Sequence, residues 1–251
     1  MAPLVEPIDC LKGLKLLKAG SVDMVFADLP YGATRNDWDK PLPMKKLWPE
    51  LYRVCKPNAA MVFTAIQPFT SLLVCSNLKD FRYSMVWHKN KASGALLANH
   101  RPLRIHEDLL IFWRKFPTYN PQFTQGHAPS HGAHRHTGQG KNYGKTTPGT
   151  TYEAGRTYRY PTTVLEIPVV DSCSAARIHP TQKPWELAAW FIRSFSNPHN
   201  LILDPTAGSG STLVAARILG RRATGFEKDH NMAEKANAWL NECGGTPDQT
   251  A

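Results

Sequence analysis

Short apolar runs typical of buried strands alternate along this chain with segments whose apolar residues recur at helical spacing. Strands are predicted at 4–8, 22–27, 60–66, 81–88, 107–113, 163–170, 200–204 and 222–227. Helices are predicted at 10–19, 44–55, 69–78, 184–196, 211–219 and 229–242. Pro49 is expected either to kink the second helix or to mark its true start. Strands that alternate with helices predict an α/β fold.

This alternation stops between Lys115 and Arg177, where Gly, Pro, Thr, His and Tyr dominate. From Lys115 to Tyr160 there are six Lys or Arg residues and one acid, Glu153, so this segment carries +5 of the chain's formal charge of +10. Tyrosines are interleaved with these cations. Such a segment suits contact with the phosphates and bases of nucleic acid.

The overall composition is that of a folded protein, with 251 residues of which 42% are apolar and 20% charged. The surplus of 30 Lys and Arg over 20 Asp and Glu favours an anionic partner, with nucleic acid the leading candidate, although a generally basic protein stays an alternative. No apolar run is long enough to cross a bilayer and the N-terminus does not resemble a secretory signal. We therefore expect no membrane partner and a cytoplasmic location.

Cysteine and histidine give little sign of a metal or a disulfide framework. The five cysteines are odd in number and far apart, with no CxxC pair, which indicates a reducing compartment. Four histidines between 127 and 136 have no cysteine or carboxylate beside them, so we predict no metal site. Cys55 lacks an activating neighbour in sequence and is expected to pack in the core rather than act as a nucleophile.

A glycine turn between a predicted strand and helix spans 203–212 (LDPTAGSGST). Its glycines allow a ligand to approach the backbone closely, and the N-terminus of the following helix favours a negative group. Glu227 ends the next strand, 19 residues after Gly208, where a carboxylate can accept hydrogen bonds from ribose hydroxyls. A dinucleotide site would have glycine where Leu213 stands, so a nucleoside without phosphates fits better, and S-adenosylmethionine (SAM) is the predicted ligand. A turn with no ligand would not account for Glu227.

A second candidate turn, Asp28 to Gly32, follows the strand at 22–27. Ligands of open α/β sheets bind outside the carboxyl ends of strands, so we expect both turns to share one crevice. The Asp28 carboxylate and the Leu29 carbonyl could accept both N–H bonds of an exocyclic amine and stabilise the positive charge that grows on its nitrogen during methylation. Pro30 would stiffen the turn, and Tyr31 would stack on a flipped base.

Four motifs follow one another along the chain: DLPYG at 28–32, HPTQKP at 179–184, DPTAGSGST at 204–212 and GFEKD at 225–229. Together and in this order they resemble the beta class of DNA amino-methyltransferases. In that class the catalytic motif comes first, the target-recognition region follows and the cofactor motif comes last. The resemblance covers residues 4 to about 242. Leu29 stands where the family usually has proline, and a similar DLPY variant is found among phage-like members.

The resemblance implies a Rossmann-like SAM-dependent methyltransferase fold with a mixed, mostly parallel sheet and a circularly permuted motif order. It divides the chain into a catalytic half at 1–114, an inserted target-recognition region at 115–177, a SAM-binding half at 178–243 and a tail at 244–251. Residues 28–31 would be catalytic. In addition to the SAM contacts made by Glu227 and the glycine turn, Asp9 and Cys10 would contact the adenine ring of SAM.

The remaining implied contacts extend to the methionine end of SAM and to DNA. The implied cofactor-binding residues are Asp9, Cys10, Asp28, His179, Thr181, Lys183, Asp204, Ala207, Gly208, Gly210, Ser211, Thr212, Glu227 and Lys228. The expected nucleic-acid contacts are Arg135, Lys141, Tyr143, Lys145, Arg156 and Arg159. The cluster His106, Glu107 and Asp108 is expected to orient the nearby chain rather than to act as a general base.

The predicted function is therefore site-specific methylation of double-stranded DNA at the N6 amine of adenine, by direct in-line transfer from SAM onto a flipped base. Aspartate rather than serine at the start of the catalytic motif favours adenine over N4-cytosine. N4-cytosine methylation, methylation of adenine in RNA, and a catalytically silent DNA-binding subunit stay as alternatives. The sequence leaves open whether the chain forms a homodimer and whether it serves restriction-modification or another role in a bacterial or phage-infected cell.

Overall fold

The strand β2 (Val22–Asp28) shows how the sheet is buried on both faces. Met24 and Phe26 belong to one apolar core and Val25 and Ala27 to another, and all four side chains are inaccessible to solvent or nearly so. Because successive side chains of a strand point to opposite faces, a continuous apolar run requires covering layers on both sides. The computed structural model describes residues 4–33, 36, 39–132, 134–135, 139–140, 144–145, 151–152, 154–171, 173, 177–179 and 181–243.

The described strands are β1 (Val5–Glu6), β2, β3 (Cys55–Ala65), β4 (Phe81–Ser93), β5 (Arg104–Phe112), β6 (His134–Arg135), β7 (Gln139–Gly140), β8 (Gly144–Lys145), β9 (Thr151–Tyr152), β10 (Val164–Glu166), β11 (Leu201–Asp204) and β12 (Arg222–Phe226). The main sheet has the order β1-β12-β11-β2-β3-β5-β4-β10. All neighbours in it are parallel except β5, which runs antiparallel to β3 and β4. The predicted mixed, mostly parallel sheet is confirmed.

The described helices are α1 (Cys10–Leu16), α2 (Met44–Val54), α3 (Phe69–Ser76), α4 (Trp185–Phe195), α5 (Ser211–Ile218) and α6 (His230–Glu242). Buried residues of α1, α2 and α3 belong to the core with Val25, and those of α4, α5 and α6 to the core with Met24. This gives a three-layer arrangement with the sheet in the middle. Among the described residues, no helix is both long and apolar enough to cross a membrane.

Several elements differ from their predicted bounds, among them β3, which begins at Cys55, and β10, which ends at Glu166; for α2 and β4 the reason can be identified. Pro49 lies within α2 and does not begin it, since the helix starts at Met44. Pro49 is exposed while Leu47 and Leu51 are fully buried, so the apolar face holds the helix together despite the hydrogen bond that proline removes. The strand β4 extends to Ser93, five residues beyond the predicted end, because its polar last residues pair with β5 where no apolar alternation marks a strand.

The chain divides into two compact units, Met1–Asn120 with Thr163–Ala251, and Pro121–Thr162. Of the region predicted at 115–177, residues 121–162 form the second unit, while β10 pairs with β4 in the main sheet of the first.

The second unit contains two short antiparallel pairs, β6 with β9 and β7 with β8. Thr124 pairs with Arg159 in an isolated bridge, and the ring of Phe123 lies 4.9 Å from those of Tyr158 and Tyr160. The tail predicted at 244–251 lies outside the described residues.

In the first unit, the parallel strands β12, β11 and β2 are neighbours and end at the same edge of the sheet. Asp204 is the last residue of β11, Asp28 is the last residue of β2, and Glu227 directly follows β12. The topology therefore gathers three carboxylates from distant parts of the chain at one edge.

Candidate active site

The turn after β2 and the turn after β11 are joined by a direct hydrogen bond. The hydroxyl of Thr206 donates to the backbone carbonyl of Asp28 at 3.1 Å. Thr206 is the second residue after β11, and its own N–H donates to Asp204 at 3.1 Å. The two turns that sequence analysis predicted to share a crevice therefore contact each other at this edge of the sheet.

The glycine turn depends on two residues with a left-handed backbone. Gly208 has φ +50° and Gly210 has φ +82°, conformations that residues with a side chain rarely adopt. A Cβ atom added at Gly208 would meet no atom within 4 Å, so the space beside this residue is open. The N–H of Ala207 donates to the carbonyl of Phe226 at 2.8 Å, and α5 begins directly after Gly210. The turn thus presents backbone to an open space at the start of a helix.

The Glu227 carboxylate closes the other side of this turn. Its Oε2 accepts from the N–H of Gly208 at 3.0 Å, and its Oε1 accepts from the N–H of Asp229 at 2.9 Å. The backbone N–H of Glu227 donates to the backbone carbonyl of Glu6 in β1 at 3.0 Å. The spacing of 19 residues between Gly208 and Glu227 therefore corresponds to direct contact.

Asp204 is buried beneath the turn, with 3% of its surface exposed. Burial raises its pKa to about 7, and the negative charges of Asp28 and Glu227 act in the same direction. Hydrogen bonds from Thr212 and from the backbone of Thr206 offset part of this effect. Asp204 therefore supports the turn from inside, and its raised pKa leaves about half of the carboxyl protonated near pH 7.

Replacing Asp204 by asparagine is expected to remove a pH dependence of stability. Native Asp204 holds its proton up to about pH 7, whereas an aspartic acid in the unfolded chain ionises near pH 4. The stabilisation is thus complete below pH 4 and declines as the pH rises towards 7, by about 1.4 kcal/mol per unit of pKa shift. Urea denaturation between pH 4 and 8 should show the free energy of unfolding of wild type falling relative to Asp204→Asn, then levelling. A constant difference would contradict a buried neutral carboxyl.

The Asp28 carboxylate is held by three side chains. The hydroxyls of Tyr31 and Thr64 both donate to its Oδ1, and these two hydroxyl oxygens lie 2.8 Å apart. Lys183 Nζ donates to Oδ2 at 2.8 Å. The Asp28 side chain stays 31% exposed. The carboxylate is therefore fixed in orientation and still accessible from solvent.

A chain of alternating charges continues from Lys183. Lys183 Nζ lies 3.3 Å from Glu107 Oε2, and the other oxygen of Glu107 lies 3.0 Å from Lys89 Nζ. Burial lowers the pKa of Lys183, but the charges of Asp28 and Glu107 together outweigh it and raise the pKa above its ordinary value. Lys183 therefore stays protonated.

Tyr31 contributes both its hydroxyl and its ring to the Asp28 cluster, which also contains Thr64, Lys183 and Glu107. Burial and the neighbouring Asp28 charge raise the pKa of its hydroxyl well above the ordinary value, so the group remains a donor. The ring packs on Phe69 with centroids 5.3 Å apart, and Lys183 Nζ lies 5.6 Å from the ring centroid. Asp39, which is buried, accepts hydrogen bonds from the N–H groups of Tyr31 and Gly32 at 2.7 and 2.9 Å.

Two further predicted residues of the motif after residue 178, His179 and Lys183, belong to the same region. Burial lowers the pKa of His179, while the charges of Glu227 and Asp28 act to raise it. The N–H of Thr181 donates to His179 Nδ1 at 3.2 Å. Lys183, predicted near the methionine end of SAM, contacts Asp28.

The start of α1 lies near Glu227. The Asp9 side chain caps α1 by accepting from the N–H groups of Leu11 and Lys12. Burial raises the pKa of Cys10 to about 12, with the charges of Asp9 and Glu227 contributing in the same direction. Lys228 is exposed. Asp9 and Cys10 therefore lie on the Glu227 side of the crevice and Lys183 on the Asp28 side.

Several residues that contact Asp28, Tyr31 or Lys183, directly or through Glu107, carry no signature in the sequence. Thr64 lies within an apolar strand and carries no motif, and Lys89 lies beyond the predicted end of its strand. Asp39 comes after the catalytic motif, and its spacing from the motif does not by itself indicate a role in the site. Glu107 was singled out for orienting the nearby chain, but its two lysine partners come from other strands and loops, which only the fold brings together.

The predicted DNA contacts are described in part. The Arg159 guanidinium bonds the carbonyl of Ala128 at 2.6 Å, and Arg156 lies over the ring of Tyr158 at 5.4 Å. Lys141 and Tyr143 lie outside the described residues, as do the side chains of Arg135 and Lys145. In the part of the chain that the structure describes, no three His, Cys, Asp or Glu residues are grouped to hold a metal ion.

A family model described as DNA methylase matches residues 22–238 of this chain. The chain is 30% identical to the DNA adenine methyltransferase YhdJ of Escherichia coli (strain K12), over 87% of this chain and 76% of that protein. It is 24% identical to the Type II methyltransferase M1.MboII of Moraxella bovis, over 95% of this chain and 96% of that protein.

Solved structures show the same fold at lower identity. A complex of M1.HpyAVI with SAM has a TM-score of 0.64 at 20% identity, covering 94% of this chain and 98% of that one. The PvuII DNA methyltransferase, described as cytosine-N4-specific, has a TM-score of 0.66 at 14% identity, covering 96% of this chain and 90% of that one. The predicted Rossmann-like methyltransferase fold is confirmed.

Proposed function

Because the chain belongs to the DNA methylase family of N6 and N4 amino-methyltransferases, we propose that it methylates the N6 amine of adenine in double-stranded DNA, with SAM as methyl donor. The observation that carries this proposal is the Thr206 hydrogen bond to Asp28, which fixes the acceptor of the DLPY turn against the glycine turn. Methyl transfer requires the reacting atoms to be brought to about 3–3.5 Å in line, so an amine site and a donor site must adjoin.

The residues around the glycine turn fit a nucleoside ligand. The space beside Gly208 is open, and Glu227 presents a carboxylate at the same point. In our proposal Glu227 accepts hydrogen bonds from the ribose hydroxyls, and the start of α1 at Asp9 and Cys10 borders the adenine ring. When bound, SAM supplies an electrophilic methyl group on a sulfonium.

The Asp28 carboxylate keeps room for an amine. A carboxylate offers about four acceptor positions, and Tyr31, Thr64 and Lys183 occupy three of them. An N–H of the target amine takes the remaining position on Oδ2, and the carbonyl of Leu29 accepts the second N–H. Both acceptors stabilise the positive charge that develops on the nitrogen, which lowers the barrier to transfer.

Adenine is supported by two observations beyond the fold. The catalytic motif begins with Asp28 rather than serine, and the relative with 30% identity is named as a DNA adenine methyltransferase. In our proposal the Tyr31 ring, which packs on Phe69 and has Lys183 Nζ over it, borders the everted base beside Asp28.

The decisive experiment incubates plasmid DNA with the protein and SAM and digests the product to nucleosides for mass spectrometry. We expect the methylated product to be N6-methyldeoxyadenosine. N4-methylcytosine would contradict the proposed base, and the absence of any methylated base would contradict the proposed function. An RNA substrate of the same sequence, run in parallel, should stay unmethylated. Sequencing that reports modified bases in context identifies the recognition sequence.

Replacing Lys183 by methionine is expected to lower the rate constant of the methyl-transfer step about tenfold while the Kd for SAM changes by less than about twofold, because Lys183 orients Asp28 through a charge-assisted hydrogen bond. Single-turnover kinetics and calorimetry measure the two quantities. Lys235→Met, at an exposed position on α6, is the matched control. A raised Kd for SAM with an unchanged rate constant of transfer would instead assign Lys183 to the methionine end of the cofactor.

A further inference from the structure

The β4–β5 hairpin extends past its neighbour at the edge of the sheet that holds Asp28. The last residue of β3, Ala65, pairs with Asp108 of β5, whereas β4 and β5 stay paired out to Ser93 and Arg104. Beyond that pair, residues 94–103 form the tip of the hairpin, which begins at Gly94 with φ +92° and includes a short 3-10 helix. The tip therefore projects from the carboxyl edge of β3, next to the candidate active site.

Three large apolar side chains at this tip, and Ile105 at the start of β5, face solvent. Leu96 is 99% exposed, and Leu97, Leu103 and Ile105 are each at least 40% exposed. Single exposed leucines are ordinary on protein surfaces, but a group on one projecting hairpin indicates a contact surface. Nothing within the described first unit covers Leu96.

The charges of the same segment are all positive. Between Lys89 and His106 there are four Lys or Arg residues and no acid. Lys89 pairs with Glu107 and Lys91 with Asp171, whereas Arg101 and Arg104 line a cleft of about 310 Å³ together with His106. Glu107 and Asp108 also line this cleft. Glu107 pairs with Lys89 and Lys183, and Asp108 accepts a hydrogen bond from Thr70, so both carboxylates are engaged on the protein side. Through Lys183 the cleft adjoins Asp28.

The combination of apolar tip and cationic base fits duplex DNA better than other partners. Arginine binds phosphate through several donors in a fixed geometry, and two arginines in one cleft match a phosphodiester backbone. A second copy of this chain would bring an equally cationic tip and would be repelled. Proteins that distort duplexes commonly insert an apolar side chain, leucine among them, between base pairs.

We propose that the β4–β5 hairpin is a DNA-binding element in which Arg101 and Arg104 hold backbone phosphates beside the target base and Leu96 inserts into the base stack next to it. This inference rests on the proposed function and deepens it, because it assigns DNA contacts to the unit that carries Asp28. Leu96 fills space that the target base leaves when it is everted, and the arginines fix the strand so that the base reaches Asp28.

The arginine part is tested by DNA binding, which needs no methyl transfer. Dissociation constants for wild type, Arg101→Gln, Arg104→Gln and the control Lys79→Gln are measured between 50 and 200 mM salt. Each hairpin variant is expected to raise Kd about tenfold and to lower the slope of log K against log salt by about 1. Lys79 is exposed at the opposite edge of the sheet, and its variant should behave as wild type. Unchanged slopes for both arginine variants would overturn the proposal.

The leucine part is tested with two substrates that carry the recognition sequence, one fully paired and one with the target base mispaired. Eversion costs less for a mispaired base. Leu96→Ser is therefore expected to be about tenfold slower on the paired duplex and near wild-type rate on the mispaired one, while the exposed Leu78→Ser leaves both rates unchanged. Equal rates for wild type and Leu96→Ser on the paired duplex, or an equal loss on both substrates, would overturn the insertion. Inactive wild type would contradict the proposed function, and the salt slopes would still decide the phosphate contacts.

Discussion

Replacing Asp28 by asparagine is expected to lower the rate constant of the methyl-transfer step by about 10³-fold. The Asp28 carboxylate is the group that accepts the N–H of the target amine and stabilises the charge growing on its nitrogen, and removal of one such preorganised group typically costs a factor of about 10²–10³. Asparagine keeps the shape but offers one acceptor oxygen, and that oxygen already faces the hydroxyls of Tyr31 and Thr64. Its amide nitrogen would meet the Lys183 ammonium, donor against donor.

The measurement is single-turnover transfer of labelled methyl from SAM to DNA, with the Kd for SAM determined in parallel. Glu234→Gln removes a carboxylate from an exposed position on α6 and should retain wild-type activity. The Kd for SAM of Asp28→Asn should stay within about threefold of wild type, since the ribose contact lies on the Glu227 side of the crevice. Methyl transfer by Asp28→Asn at the wild-type rate would refute the catalytic assignment.

The elements of the main sheet could be predicted because its strands are buried on both faces. The run MVFA at 24–27 has no polar position. The fold explains this, since alternate residues of β2 enter two separate cores. The far end of β4 could not be predicted, because its last residues are polar and pair with β5 beyond the covered part of the sheet. A hydrophobic pattern indicates which residues are buried, and a hairpin that projects beyond the core has few buried residues.

The motifs of the site could be predicted for a different reason. The backbone conformation of a tight turn restricts which residues can occupy it. Gly208 and Gly210 both adopt left-handed backbone, and the Glu227 spacing follows from one strand and one helix between two adjacent turns. The partners of Asp28 had no such signature. Thr64 and Lys183 are 36 and 155 residues from Asp28, and hydrogen bonds over such separations depend on the sheet order.

The sheet order also explains the coupling of the two turns. In the order β11-β2-β3, β11 brings the glycine turn to one side of Asp28 and β3 brings Thr64 to the other. Thr206 and Thr64 therefore fix the backbone and the side chain of the same aspartate. A shift of either neighbouring strand by one residue would lose one of these contacts.

Replacing Glu227 by alanine is expected to weaken SAM binding about 100-fold. A carboxylate that accepts hydrogen bonds from two ribose hydroxyls contributes charge-assisted bonds of roughly 1.5–3 kcal/mol each, part of which water returns when the group is removed. In the structure the same carboxylate accepts from the N–H groups of Gly208 and Asp229. Loss of affinity could therefore arise from lost ligand contacts or from a loosened turn, and the experiment has to separate the two.

Two ligands and two variants are compared to distinguish lost ribose contacts from a loosened turn. Calorimetry compares S-adenosylhomocysteine with an analogue in which both ribose hydroxyls are replaced by hydrogen, on wild type, Glu227→Ala and the exposed control Glu242→Ala. If Glu227 binds the hydroxyls, wild type and the control should favour the natural ligand about 100-fold, whereas Glu227→Ala should bind both ligands about equally. A loosened turn would weaken both ligands by the same factor and preserve their ratio. An unchanged ratio in Glu227→Ala would thus refute the ribose contact, even if its affinity for SAM were low.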